Sequence, residues 1–297
     1  MSTSRLLIHP TSTQAEYHHL TPDRAGWEWL HFAARRMAAG ERWSLKTGEN
    51  EYGLVVLGGI CRVGTSRGEW PRLGRRQTVF HGMPHALYLP RRTDVEVQAM
   101  PAAGVDLAYA WCAVDEDHPP QVVRPQDVSV EIRGAGNATR QINAIIPPGF
   151  DCQRLVCVEV YTPSGNWSSY PPHKHDEHQL DPGGQLLEAD LEEVYFYKLD
   201  RPEGFALQRV YTSDGRLNET MVAGNDDLIL VPEGYHPVAS AHGYTTYYLN
   251  FLAGSAQSLA HRDDPDHAWV KSTWKDKDPR LPLVSLAMET GEGRGGG

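Results

Sequence analysis

The sequence predicts an all-β protein that consists of two barrels of the same plan and contains little helix. No long window places apolar residues at three- and four-residue spacing, whereas 28 glycines and 21 prolines separate short runs of β-branched and aromatic residues. A pattern of strands and turns also recurs at an offset of 142 residues, which indicates an internal repeat. Each copy is therefore expected to form a double-stranded β-helix, or jelly-roll, barrel.

The repeat is clearest in two intervals that run from a glutamate to a proline. Glu51 precedes Pro90 by 39 residues, and Glu193 precedes Pro232 by the same number. In both intervals the glutamate opens an apolar strand, and a second apolar strand ends at the proline. The two halves are therefore aligned with Glu51 opposite Glu193.

A proline-rich stretch at residues 117–125 divides the two copies. Residues 1–125 are predicted to form an N-terminal barrel, and residues 126–255 a C-terminal barrel. Residues 256–297 form a polar C-terminal extension in this prediction. The glycine-rich end of the extension, residues 291–297, is expected to be disordered.

The composition excludes several classes of partner. Of the 297 residues, 40% are hydrophobic and 22% charged, as is typical of a globular chain that can bury a core. A formal net charge of -10 without any basic block argues against nucleic acid or an anionic membrane surface as partner. The sequence contains no run of 18 apolar residues and no signal-peptide pattern at its start, so a cytoplasmic protein is predicted.

Candidate metal ligands occur only in the second copy. His173 and His175 follow two prolines, and if they lie on a strand both rings point to one face and can share a metal. A carboxylate opens the strand near residues 191–197, and His236 stands just beyond a Pro-x-Gly turn. Three histidines and one glutamate suit a divalent transition metal with positions left for substrate.

Three segments give the sequence a specific resemblance. Residues 162–176, 192–197 and 231–237 resemble the 5-deoxy-glucuronate isomerase family of inositol catabolism, which belongs to the cupin superfamily and is related to the 5-keto-4-deoxyuronate isomerases. The resemblance implies a bicupin fold. The resemblance also selects Glu193 rather than Glu192 as the ligand, a choice that composition leaves open. It thereby implies that one ion of the Zn, Mn or Fe class binds to His173, His175, Glu193 and His236.

The resemblance further implies a reaction and a substrate. The reaction would be the aldose to ketose isomerisation of 5-deoxy-D-glucuronate to 5-dehydro-2-deoxy-D-gluconate, through an enediolate that a metal stabilises. Tyr195 shares a strand face with Glu193 and is a candidate proton relay, with plain barrel packing as the alternative. A homo-oligomer is also expected.

The substrate of such an enzyme is a small sugar acid, which an acidic protein must bind with local cations. Arginine binds carboxylates bidentately, so Arg154 and Arg209, on strands of the second copy, are the candidate anchors. An ordinary surface arginine or an ion pair is the alternative for each. If neither binds the carboxylate, Arg140 and Lys198 are the next candidates.

The first copy lacks the ligands. Trp43 precedes Glu51 by 8 residues, whereas Trp167 precedes Glu193 by 26, and the 18 additional residues contain both paired histidines. Asp94 stands where the second copy has His236, so a structural role is predicted for the first barrel.

Two other function classes stay open. A metal-dependent dioxygenase uses a similar set of ligands around redox-active iron, and a non-catalytic bicupin would bind a sugar without converting it.

Overall fold

The computed structural model describes residues 4–11, 15–101 and 103–290. The glycine-rich end at 291–297, for which disorder is expected, lies outside the described residues. No helix within these ranges is long and apolar enough to span a membrane. The secondary structure is almost entirely strand, which confirms the all-β prediction.

The strands are, in chain order, β1 (Leu7–Ile8), β2 (Glu16–Leu20), β3 (His31–Met37), β4 (Arg42–Lys46), β5 (Asn50–Gly59), β6 (Cys61–Thr65), β7 (Gly68–Leu73), β8 (His85–Leu89), β9 (Asp94–Ala99), β10 (Val105–Ala113), β11 (Gln121–Val123), β12 (Ser129–Arg133), β13 (Arg140–Ile146), β14 (Val156–Thr162), β15 (Trp167–Ser168), β16 (His173–Lys174), β17 (Asp176–Leu180), β18 (Leu186–Leu199), β19 (Ala206–Tyr211), β20 (Asn218–Ala223), β21 (Leu228–Val231), β22 (Val238–Ser240), β23 (Thr246–Gly254) and β24 (Arg262–Asp263). The described helices are α1 (Pro22–Ala25), α2 (Ala287–Thr290) and the 3-10 helices Pro125–Asp127, Gly136–Ala138 and Ala268–Thr273.

The first copy forms two antiparallel sheets that enclose an apolar interior. The larger sheet has the order β11-β8-β5-β10-β3-β2, and the smaller has the order β4-β9-β6-β7. Leu54 and Val56 of the larger sheet belong to one buried cluster with Val63 and Val97 of the smaller. This interior is filled by apolar side chains, as in a barrel without a ligand site.

The second copy repeats this topology. Its order β21-β18-β23-β14 matches β8-β5-β10-β3, and β15-β22-β19-β20 matches β4-β9-β6-β7. Strands β16 and β17 have no counterpart among the described strands of the first copy. His173 begins β16, and His175 lies between the two strands. The internal repeat and the position of its insertion are therefore as predicted.

An N-terminal strand ties the two copies together. β1 pairs with β21 at the edge of the second barrel, where Leu7 lies opposite Ile229. β11 occupies the equivalent edge of the first barrel, beside β8. Part of the predicted N-terminal range 1–125 thus contributes a strand to the second barrel.

The two large sheets also pack against each other through the faces that point away from the barrel interiors. Phe32, Val55 and Tyr88 of the first copy share a buried cluster with Val194 and Phe196 of the second. Both faces of β5, β18 and β23 are therefore buried, which explains their nearly continuous apolar sequences.

The strand register corrects the sequence alignment by one residue. Tyr52 pairs with Leu89 in the first barrel as Glu193 pairs with Val231 in the second. Tyr52 therefore occupies the place of Glu193, and Glu51 corresponds to Glu192. A difference of one residue reverses the face of a strand, so the first barrel lacks the inward carboxylate as well as the histidines.

Asp94 lies at the surface of the first barrel. Its carboxylate is 3.2 Å from the ammonium group of Lys46, and its side chain is 66% exposed. Because exposed ion pairs contribute little, we expect Asp94→Ala to change the free energy of unfolding by less than ~1 kcal/mol. Turnover should also stay within about twofold of wild type. A hundredfold loss of turnover in a folded Asp94→Ala protein would assign the first barrel a part in catalysis.

Candidate functional site

Three buried side chains meet inside the second barrel. His175, Glu193 and His236 each offer a ligand atom, and these atoms all lie within 4.8 Å of one another. The Nε2 atom of His175 is 3.0 Å from Oε2 of Glu193, and Nε2 of His236 is 3.3 Å from the same oxygen. The link between β16 and β17, strand β18 and the turn before β22 thus deliver one ligand each.

Backbone carbonyls orient both imidazoles. Nδ1 of His175 is 3.0 Å from the carbonyl oxygen of Leu191, and Nδ1 of His236 is 2.9 Å from that of Gly234. Because a carbonyl only accepts, each Nδ1 donates, and in the neutral ring the Nε2 lone pair then faces Glu193. This arrangement is typical of histidines that bind a metal.

The charges and burial of the group fit a divalent cation. Nε2 of His236 is buried and has no hydrogen-bond partner among the described residues. Burial, together with neighbouring His175, lowers the pKa of His236 to about 3, so its ring is neutral at pH 7. Burial raises the pKa of Glu193, and the contact with His175 acts in the opposite direction when that imidazole is protonated. A cation would satisfy the orphaned nitrogen and the buried carboxylate together.

His173 lies beside the group without joining the close set of three. Its ring centroid is 4.7 Å from that of His236 and 6.3 Å from that of His175. Burial, followed by the neighbouring histidines, lowers its pKa well below the usual value, so the ring is in the neutral form that binds metals. Its role as a fourth ligand stays a prediction.

Tyr195 lies on the same face of β18 as Glu193, as strand alternation predicts. Its hydroxyl is 2.9 Å from Oγ of Ser169, which is 3.3 Å from the hydroxyl of Tyr248. Its ring centroid is 5.8 Å from that of His236. Burial raises the pKa of Tyr195 well above its usual value, so the phenol keeps its proton.

The structure brings neither Arg154 nor Arg209 to this group. The guanidinium of Arg154 lies 3.9 Å from the ring centroid of Trp29 and donates to the carbonyl of Gly254 at 2.8 Å, at the junction of the barrels. Arg209 is exposed because alternation in β19 points it outward, where it stacks at 3.9 Å on Tyr211. No contact observed for either arginine supports the predicted role of carboxylate anchor.

Lys198 and Arg140, the next candidates for the carboxylate, differ in their surroundings. Lys198 is held in an ion-pair network between the barrels, with its ammonium group 2.7 Å from Asp106 and also bound to Asp226. Arg140 is buried at the start of β13 and forms no ion pair with a carboxylate in the described part of the chain.

A further histidine near the site has no sequence pattern that predicts its position. His261 comes from the C-terminal extension, and its ring centroid is 4.6 Å from that of His173. It arrives there because β24 pairs with β16, which places Asp263 opposite His173. No motif surrounds His261, so nothing in the sequence indicates that the extension folds back over the site.

The chain has close relatives of known sequence. The model of the KduI/IolB family matches residues 6–270. A protein of Geobacillus thermodenitrificans (strain NG80-2) named 5-deoxy-glucuronate isomerase is 40% identical over 270 residues, which cover 90% of this chain and 96% of the relative. One of the same name from Bacillus subtilis (strain 168) is 35% identical over 255 residues, 85% of this chain and 92% of the relative.

Solved structures agree with this relationship. An IolB-like protein from Salmonella typhimurium LT2 has a TM-score of 0.85 at 37% identity and covers 90% of this chain and 99% of its own. Oxalate decarboxylase from Bacillus subtilis, a protein with Mn(II) centres, has a TM-score of 0.61 at 13% identity. The match covers 89% of this chain and 80% of the decarboxylase, and at this identity it shows a shared fold alone. The chain belongs to the KduI/IolB family.

Proposed function

We propose that this chain is an isomerase that converts 5-deoxy-D-glucuronate to 5-dehydro-2-deoxy-D-gluconate. The observation that carries the proposal is the buried group of His175, Glu193 and His236 in a barrel whose relatives are named 5-deoxy-glucuronate isomerase. The reaction moves a proton between two adjacent carbons and needs no nucleophile. The proposal includes a cytoplasmic location, a role in inositol catabolism and a homo-oligomeric state.

A metal is part of the proposal. His173, His175, Glu193 and His236 would hold one divalent ion of the Zn, Mn or Fe class. Such an ion supplies Lewis-acid chemistry, which stabilises the negative charge that develops on the oxygens of the reacting carbons. The carbonyl contacts of His175 and His236 fix the ligand geometry in advance, so that little reorganisation accompanies binding.

Tyr195 is the proposed proton donor. Its phenol stays protonated, faces the barrel interior and is connected through Ser169 to Tyr248. From this position its O–H can donate to an oxygen of the substrate as the carbon-bound proton moves. The surrounding side chains are buried and exclude water, which strengthens such a hydrogen bond.

We expect Tyr195→Phe to lower turnover about 100-fold while the bound metal and the melting temperature change little, because general acid catalysis contributes roughly this factor. Tyr197→Phe is the matched control, since Tyr197 lies on the same face of β18 but donates to Gln208 at 2.8 Å. Steady-state kinetics with metal analysis measure both. Full turnover in Tyr195→Phe would leave this residue with a packing role.

The decisive experiment combines metal analysis of the purified protein with an assay on 5-deoxy-D-glucuronate. The proposal expects about one divalent ion per chain and formation of the ketose without oxygen uptake. Oxygen consumption coupled to substrate loss in iron-loaded protein would indicate a dioxygenase instead. Sugar-acid binding without conversion would indicate a non-catalytic bicupin. Size-exclusion chromatography with light scattering tests the oligomeric state.

A further inference from the structure

Arg140 is a buried cation without a buried anion. Its side chain lies on the same face of β13 as Ile142 and Ala144, which pack against the interior of the second barrel. Only 5% of the residue is exposed. Its hydrogen bonds among the described residues come from Nη1, to the carbonyl oxygens of Ala138 at 3.3 Å and Tyr170 at 2.9 Å.

A second nitrogen of this guanidinium lacks a partner. Nε of Arg140 is buried and has no hydrogen-bond partner within the described ranges. Burial, the largest cause, lowers the pKa of Arg140 to about 10. A buried guanidinium normally binds a carboxylate, because desolvation otherwise costs several kcal/mol, as an order of magnitude.

Arg76 shows what this protein does with a buried arginine that has only a structural role. It is 3% exposed, and its Nη1 lies 3.0 Å from Oε2 of Glu159. Burial lowers the pKa of Arg76, but the attraction and hydrogen bond to Glu159 and the neighbouring tyrosines together outweigh burial and raise it. The barrel therefore supplies a carboxylate to Arg76 and none to Arg140 within the described chain.

Arg140 also faces the proposed reaction site. Tyr170, whose carbonyl it binds, directly follows Ser169, the hydrogen-bond partner of Tyr195. Ser169 also lies 3.3 Å from the hydroxyl of Tyr248; burial raises the pKa of that phenol, and the positive charge of Arg140 opposes the shift. These contacts place the cation at the end of the site that Ser169 and Tyr248 form.

We propose that Arg140 binds the carboxylate of the substrate, with the His175–Glu193–His236 group at the other end of the molecule. The identity of that substrate rests on the proposed function. A guanidinium fork binds a carboxylate bidentately, and two fixed ends prevent the sugar from pivoting. Arg140 is thus a substrate-binding residue that selects sugar acids over neutral sugars.

The test compares kcat/KM for 5-deoxy-D-glucuronate with kcat/KM for the analogue in which a hydroxymethyl group replaces the carboxylate. In Arg140→Met we expect kcat/KM for the acid to fall ~100-fold, through a raised KM and a lowered kcat, since hydrogen bonds to charged groups contribute strongly. The value for the neutral analogue should change less than about threefold. Arg154→Met and Arg209→Met are matched controls and should keep wild-type discrimination.

Folding is checked by thermal unfolding and metal content. If Arg140→Met does not fold, Arg140→Lys is compared instead, and we expect its discrimination to fall ~10-fold because an ammonium group cannot bind bidentately. Wild-type discrimination in a folded Arg140 variant would overturn the proposal, and its loss in Arg154→Met or Arg209→Met would assign the anchor to that residue.

A second readout separates this proposal from the proposed function. Calorimetry measures the binding of D-glucuronate and of D-glucose to metal-loaded wild type and Arg140→Met. The wild type could fail to isomerise 5-deoxy-D-glucuronate while it binds D-glucuronate in preference to D-glucose and Arg140→Met does not. In that case the proposed function is wrong and the anion site stands. If the preference is unchanged by the substitution, Arg140 is not the anchor.

Discussion

His175→Ala should remove both the metal and the isomerase activity while the two barrels stay folded. His175 places Nε2 3.0 Å from Glu193 inside the group of ligand atoms. An alanine there leaves too few ligands for tight binding, and the lost charge stabilisation is worth several kcal/mol, so turnover should fall by at least ~1,000-fold. Elemental analysis and steady-state kinetics measure the two losses on one sample.

The fold should survive because the core does not depend on this imidazole. The two interior clusters and the cluster between the large sheets consist of apolar side chains from other strands. His178→Ala is the matched control, since His178 lies three residues further along, in β17, but is exposed and 2.8 Å from Oγ of Ser255. A folded His175→Ala protein that keeps a full complement of metal would contradict the proposed ligand set.

Much of the architecture was predictable because it depends on local patterns. Strand alternation and turn residues are encoded over short stretches, and their recurrence at a fixed offset identifies the repeat. Together they predict two barrels with an insertion in the second. Alternation also placed Glu193 and Tyr195 on one face of β18 and Val194 on the other, as the two separate clusters show. The turn before β22 delivered His236 as predicted.

Contacts between distant segments were not predictable. His261 approaches the site from the C-terminal extension, 88 residues after His173, and no local pattern marks it. The position of Arg154 just before a strand of the second barrel predicts a place in the pocket, but its contacts with Trp29 and Gly254 hold it at the junction of the barrels. The strand register could not be predicted to a single residue either. Equal spacing to a proline aligns Glu51 with Glu193, whereas the strand pairing aligns Tyr52 with Glu193.

The corrected register separates two adjacent glutamates by function. Glu192 points away from the barrel interior, and its carboxylate accepts hydrogen bonds from the backbone N–H groups of Trp29 at 2.8 Å, Leu30 at 2.6 Å and Glu28 at 2.5 Å. The carboxylate of Glu51, in the first barrel, accepts hydrogen bonds from the backbone N–H groups of residues 153–155 in the second. Each barrel thus binds the backbone of the other through one buried carboxylate.

We therefore expect Glu192→Ala to destabilise the protein and Glu193→Ala to abolish metal binding. Removal of the Glu192 carboxylate leaves three N–H groups without a partner, each of which costs roughly 1–3 kcal/mol, so the free energy of unfolding should fall by about 3 kcal/mol or more. Glu51→Ala should cause a similar loss. Melting temperatures measured with a chelator exclude the contribution of bound metal to these differences.

Glu193→Ala should behave in the opposite way under the same conditions. Without metal, its melting temperature should stay within a few degrees of wild type, because removal of a buried carboxylate also removes its desolvation cost. With metal present it should bind none and turn over no substrate, whereas folded Glu192→Ala and Glu51→Ala proteins should still bind about one ion per chain. Loss of metal from Glu192→Ala at a temperature where it is folded would show that the ligand is Glu192, since only one of two adjacent strand residues can face the histidines.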